Sequence, residues 1–170
     1  MEDPIISGVV HDVGEAKMTL LGVPDRPGVS ALLFESLAQA NVNVDMIVQN
    51  TSIDGTTDIS FTLPLGDIAT ALPILKKVGD EVGAKGVSQD ENIVKLSLVG
   101  AGMKSSPGIA AKMFRVLADN NVNIEMISTS TIRISVVVER SMLETAIRAL
   151  HTAFDLDSGQ DYSAPLPERK

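Results

Sequence analysis

Cysteine is absent from the 170 residues, which excludes disulfides, thiolate metal sites and cysteine nucleophiles. Tryptophan is absent too, Tyr162 is the only tyrosine, and aromatic residues amount to 3%, so side chains on which bases stack are scarce. Basic residues are the minority, 14 Lys and Arg against 22 Asp and Glu, and the net charge of −8 repels phosphate backbones and anionic lipid. Nucleic acid and membranes are therefore not expected as partners. No long apolar run follows the acidic start Met1-Glu2-Asp3-Pro4, which leaves no signal peptide or membrane span and makes the cytoplasm the expected location.

Chemical machinery is equally sparse. His11 and His151 are the two histidines, with no His-x-x-x-His spacing and no carboxylate cluster to hold a metal. Gly100-Ala101-Gly102 begins like a dinucleotide fingerprint, but Ser105 stands where the third glycine belongs. Gly102-Met103-Lys104-Ser105 lacks both the glycine before the lysine and the eight-residue spacing of a phosphate loop. No catalytic residue, metal or cofactor is expected.

What the chain does have is repetition. Asn41-Val42-Asn43-Val44-Asp45-Met46-Ile47 returns as Asn121-Val122-Asn123-Ile124-Glu125-Met126-Ile127, an offset of 80 (121 − 41). Pro27-Gly28 returns as Pro107-Gly108 at the same offset (107 − 27 = 80). Repetition of this kind makes the architecture a tandem of one unit. Each unit reads β-α-β-β-α. In the first, strands are predicted over 17–22, 42–51 and 57–63. Val29, Leu32, Leu33, Leu37 and Ala40 predict a helix over 29–40, and Ile68, Ala71, Leu72, Leu75 and Val78 a second one. In the second unit, strands are predicted over 95–100, 123–130 and 132–138, and helices over 109–119 and 142–154. The offset falls to 75 by Ile59 and Ile134 (134 − 59), so the first unit has the longer loop, at 52–56. Asn41 and Asn121 sit where a helix ends in a left-handed residue.

A short strand precedes each unit: Gly8-Val9 with Asp12 before Lys17, and Gly86-Val87 with Asp90 before Lys95 (86 − 8 = 78). No counterpart follows the last helix, and residues 155–170, rich in Gly, Ser, Pro and charge, read as a disordered tail. Each spare strand can form a hairpin with the strand after it. Alternatively 5–10 crosses over to complete the second unit while 86–90 completes the first. The residues alone leave both open. In either case the fold class is α+β: two ferredoxin-like βαββαβ units, each with an antiparallel sheet and both helices on one face.

The Pro-Gly loops are the candidate ligand sites. A helix N-terminus presents free N–H groups and partial positive charge, which suit a carboxylate. Pro27 and Gly28 shape that approach, Gly108 repeats it, and Asp25 beside the loop suits an ammonium group. Asn43 and Asn123, with donor and acceptor each, follow at the next strand. Together these describe a site for a free α-amino acid. The plainer alternative makes Asp25 a helix cap. Met46 and Met126 read as core.

The phrases Asp25-Arg26-Pro27-Gly28, Asn43 to Asn50, Asp54 to Ile59, Lys95 to Met103 and Asn123 to Ser130, in that order, resemble the regulatory region of aspartate kinase over roughly residues 5–154. The resemblance implies two ACT domains, at 16–91 and at 5–11 plus 92–154, with the amino-terminal strand completing the second. It implies an allosteric sensor of threonine, lysine or both, homodimeric through its ACT domains and serving the catalytic chain of aspartate kinase, either as a separate chain or as a domain of a longer kinase. Carried onto matching positions, the effector would meet Asp25, Ser30, Asn43, Val44, Asp45 and Gln49 in the first unit, and Ile109, Asn123, Ile124, Ser128 and Thr129 in the second. Thr131 stands where the family often has Glu, and the 52–56 loop is short for the family. The rival readings are a free-standing amino-acid sensor for another enzyme, and a small acylphosphatase-like enzyme seating an anion on Arg26 or Arg133.

Overall fold

Val29, Leu33 and Leu37 fall four residues apart and are buried, which makes α1 (Val29–Gln39) an amphipathic helix. Ile109, Met113 and Leu117 do the same for its repeat, α3 (Ile109–Asp119). The computed structural model describes residues 5–50, 54–103 and 106–157. Around these helices run β1 (Ile5–Asp12), β2 (Glu15–Pro24), β3 (Ile47–Gln49), β4 (Thr56–Pro64), α2 (Ile68–Val82), β5 (Gly86–Asp90), β6 (Ile93–Ala101), β7 (Met126–Thr129), β8 (Arg133–Glu139) and α4 (Leu143–Ala153).

Two antiparallel four-stranded sheets result, ordered β3-β4-β2-β5 and β1-β6-β8-β7. The spare strands are therefore exchanged. β1 pairs with β6, from Ile5 opposite Ala101 to Asp12 opposite Lys95, and β5 pairs with β2. The local hairpin does not form.

Strand alternation gives each sheet two different faces. Ala16, Met18 and Leu20 of β2, with Ile59, Phe61 and Leu63 of β4, meet α1 and α2 in the first core. Val94, Leu96 and Leu98 of β6, with Ile134, Val136 and Val138 of β8, meet α3 and α4 in the second. The helix-free faces meet each other, β2 against β6 and β3 against β7. Met46, Val48, Ile93, Met126 and Val137 form an apolar cluster at that junction. Small hydroxyl pairs line the same faces at repeat positions, Thr19 with Ser60 and Ser97 with Ser135, both at 2.8 Å. Each pair satisfies its own polar atoms where little water reaches.

Two predicted strands start later than expected. In place of 42–51 and 123–130, β3 begins at Ile47 and β7 at Met126. Asn41 and Asn121 are left-handed as anticipated, each with φ 58. Val42 N and Val122 N then bond back to Leu37 O and Leu117 O, at 3.0 and 2.9 Å. That turn keeps Val42 and Val122 under the helices, so strand pairing develops only several residues on. The expected tail lies mostly outside the described residues. Its first three residues form a turn after α4, with Leu156 N donating to His151 O at 2.9 Å. The 52–56 loop is described only from Asp54 onward.

Candidate functional site

The loop leaving β2 is fixed before α1 begins. Asp25 N donates to Gly55 O and Arg26 N to Pro24 O, both at 3.0 Å, which holds the loop against the Asp54-Gly55 turn. Gly28 then takes φ 96 as the N-cap of α1, and Gly108 takes φ 106 as the N-cap of α3. Those angles are open to glycine and costly for residues with a Cβ. A Cβ at either position would meet nothing within 4 Å, so backbone conformation rather than space requires glycine here. Neither helix has a side-chain cap hydrogen bond at its N-cap. The N-cap position of α1 is held by Gly28, three residues after Asp25. The first N–H groups of an α-helix have no partner within the helix, and the positive end of the helix dipole lies behind them.

Ser30, in the first turn of α1, donates to Gln49 Oε1 at 2.8 Å. Gln49 lies opposite Ile59, so it shares the helix-bearing face of the sheet. The structure thus brings the Asp25–Gly28 loop, Ser30 and Gln49 to one end of β3. In the second half the repeat positions hold Ala110 and Thr129 (110 − 30 = 80; 129 − 49 = 80), so the same bond cannot form. The two ends are built alike and decorated differently.

Other expected contacts are distributed less simply. Asn43, Asn123 and Pro27 are exposed. Val44 and Ile124 pack against the two cores, and Ile109 is buried within the second, so these three can offer a ligand mainly backbone. Ser128 and Thr129 point to opposite faces. Ser128 lies opposite Ser135 on the helix-free side, whereas Thr129 lies opposite Ile134 on the side of the helices.

Asp45 is engaged elsewhere. Its carboxylate pairs with Lys95 of β6, which also donates to Glu15 Oε1 at 2.8 Å. The other Glu15 oxygen is buried and has no hydrogen-bond partner among the described residues. Burial pushes the Glu15 carboxyl above its usual value, with the Lys95 hydrogen bond pulling part of the way back. Burial acts on Asp45 too, but there the hydrogen bond and charge of Lys95 outweigh it and hold the carboxyl low. Burial likewise opposes the charge on Lys95, and its bonds to Asp45 and Glu15 prevail and raise it. Lys17 pairs with Glu125 in the corresponding place. Sequence reasoning singled out none of Glu15, Lys17, Lys95 or Glu125. The available signal was a lysine repeated in mid-strand, at a face that alternation marks as half-buried.

A separate open groove of about 360 Å³ lies between α1 and α2, lined by Leu32, Ser36, Gln39, Ile74, Lys77 and Glu81 among others, and touches none of the candidate residues. Among the described residues no group of His, Asp and Glu could hold a metal, and no helix is long and apolar enough to cross a membrane.

Residues 19–78 and 96–154 each match the family model of the ACT domain. The chain is 52% identical over 158 residues to aspartate kinase Ask_LysC of Stutzerimonas stutzeri, a match covering 93% of this chain and 38% of that protein. It is 49% identical over 163 residues to an aspartokinase of Corynebacterium glutamicum, covering 95% and 38%. It thus spans about 38% of the length of these curated relatives. Among solved structures, a chain of the aspartokinase alpha and beta subunit crystal structure superposes with a TM-score of 0.83 at 45% identity, over 89% of this chain and 99% of that one. The ligand-free regulatory subunit of aspartate kinase from Thermus thermophilus gives 0.83 at 39%, over 88% and 98%.

Proposed function

The chain belongs to the ACT-domain family as the regulatory part of an aspartate kinase, and from that premise we propose that it senses threonine, lysine or both and feeds their level back onto the kinase. The observation that carries this reading is the end of β3. There an N-terminus without a capping side chain, the Asp25 loop and the Ser30–Gln49 pair converge. A free amino acid has the matching parts. Its carboxylate takes the first-turn N–H groups, its ammonium takes Asp25, and its side chain extends toward Gln49. Asn43 and Asp45 in the first half, and Asn123, Ile124, Ile109, Ser128 and Thr129 in the second, complete the proposed effector surface. The unlike pairs Ser30/Gln49 and Ala110/Thr129 give the two halves different ligand preferences.

The proposed assembly is a homodimer through the ACT domains, taken as 16–91 and 5–11 plus 92–154. Ile47 and Ile127 support it. They are repeat equivalents, 48% and 44% exposed, on β3 and β7, each an outer strand of its sheet. Exposed isoleucine on an open strand edge is a surface that a second copy covers. Effector bound there favours one arrangement of the two chains over another, and a catalytic chain in contact with them responds to that shift. The phosphoryl transfer itself belongs to the catalytic chain, and the cytoplasm is the proposed location.

A thermal-shift screen of the common amino acids tests the reading. Threonine or lysine at about a hundred times its dissociation constant should add roughly 2.7 kcal/mol, several degrees in melting temperature. Flat curves with both in millimolar excess count against it. Asp25→Ala should weaken binding by about tenfold or more while costing the unliganded chain about 1 kcal/mol or less. Unchanged affinity in that variant would remove Asp25 from the site.

A further inference from the structure

Two lysines hold the halves together in a crossed pattern. Lys17, on β2 of the first sheet, pairs with Glu125 just ahead of β7. Lys95, on β6 of the second sheet, pairs with Asp45 just ahead of β3. The lysines are repeat equivalents (95 − 17 = 78) and so are the carboxylates (125 − 45 = 80). Each half's central strand therefore grips the other half's segment.

The backbone closes these two grips into a ring. Lys95 lies directly opposite Val137 on β8, and Val137 O accepts the Glu125 N–H at 2.8 Å. Glu125 reaches Lys17, which lies directly opposite Thr62 on β4. Thr62 O accepts the Asp45 N–H at 2.9 Å, and Asp45 returns to Lys95. Met46 and Met126, each the residue after a ring carboxylate, fill the space beside it with Ile93 and Val137. The polar links are thus backed by packing, so that a displacement has little slack to dissipate in.

We propose that this ring couples the segments 43–49 and 123–129 within one chain, so that a shift of either is transmitted to the other. The proposal rests on the reading of those segments as ligand-facing, and makes Lys17 and Lys95 positioning residues that touch no ligand. The ring is unequal. Glu15 gives Lys95 a second carboxylate, whereas the repeat position of Glu15 holds Ile93 (93 − 15 = 78). The Lys95 side is the firmer grip.

Hydrogen exchange on the unliganded full chain tests this without any effector. Asp45→Asn should speed exchange by about threefold or more in 123–129 as well as in its own segment. Glu125→Gln should do the same in 43–49. Lys17→Met, which breaks the Glu125 pair from its other end, should reproduce the Glu125→Gln pattern. The middles of α2 and α4 should keep wild-type rates throughout. The double variant Asp45→Asn/Glu125→Gln should exceed either single one by less than the sum, since one break already opens the ring. Effects confined to the segment carrying each substitution, or strict additivity, would overturn the coupling. Failure of the effector reading is a separate result, the flat melting curves of the wild-type chain described above.

Discussion

A chain beginning at Val13, and so lacking β1, is expected to lose its second half while retaining its first. β1 contributes seven cross-strand pairs to β6. It also packs Ile6 and Val9 against the core formed by α3, α4, β6 and β8. The ladder and those two side chains together contribute on the order of 5 kcal/mol. A folded segment of about 80 residues has roughly 4 to 12 kcal/mol in all. Removal also leaves β6 as an open edge beside the exposed flank of α4. The first half keeps its four strands, because β5 supplies the partner on the far side of β2. Protection against hydrogen exchange should collapse across β6, β8 and α4 and persist in β2, β4 and α2. Loss concentrated in the first half instead would contradict the strand exchange.

Replacing Lys95 with methionine should be the most damaging single substitution at the junction between the sheets. The residue is 11% exposed and holds two carboxylates, one of them, Glu15, equally buried. Taking away one partner of an enclosed pair leaves a charge without compensation, at a cost of about 3 to 5 kcal/mol. Because Asp45 is half exposed and can turn to water, the expected loss is nearer about 2 kcal/mol.

The pH dependence follows from the direction of each shift. The Glu15 pKa is raised in the folded chain, so its contribution is full below the unfolded value near 4.5 and is lost as pH rises through the raised folded value. Asp45 behaves oppositely. Its contribution is present above about 3.8 and is lost as pH falls through the lowered folded value. That of Lys95 is full below 10.5 and is lost as pH rises through its raised value. Lys95→Met removes the pull that keeps Glu15 partly in check, so Glu15 rises further. The deficit of the variant should therefore be widest near neutrality and narrow on acidification, as Glu15 takes up its proton. Adding Glu15→Gln should recover most of the loss at neutral pH. Urea unfolding of both variants at several pH values reads this directly. A deficit that stays constant with pH, or that Glu15→Gln leaves untouched, would mean that Lys95 acts through packing alone.

Local features are legible in the sequence. Helix α3 falls at the residues that its Ile109, Met113 and Leu117 spacing indicates, because that pattern depends on neighbours within one turn of each other. Asn41 and Asn121 are left-handed for an equally local reason, the need to end a helix and reverse direction. The starts of β3 and β7 were less legible. Their polar-apolar alternation begins earlier than their pairing, and pairing depends on where β4 and β8 lie. Ser30 and Gln49 entered the candidate site through family resemblance, and the hydrogen bond between them is a contact that their separation of 19 positions along the chain conceals.

By itself the sequence determined the tandem repeat, the α+β class, the Pro-Gly helix starts and the two apolar faces, since each follows from residue type and short-range periodicity. Residue patterns left a hairpin and an exchanged strand both open, the family resemblance implied the exchange, and the tertiary structure decided it. Both arrangements satisfy the same alternation, and only the distant partner on β6 distinguishes them. It also decided that Lys17 and Lys95 face the opposite half. A lysine in mid-strand is compatible with solvent or with a carboxylate some 50 to 108 residues away, and the choice depends on two sheets meeting through their helix-free faces. That meeting is a property of packing between units, for which a single strand carries no pattern.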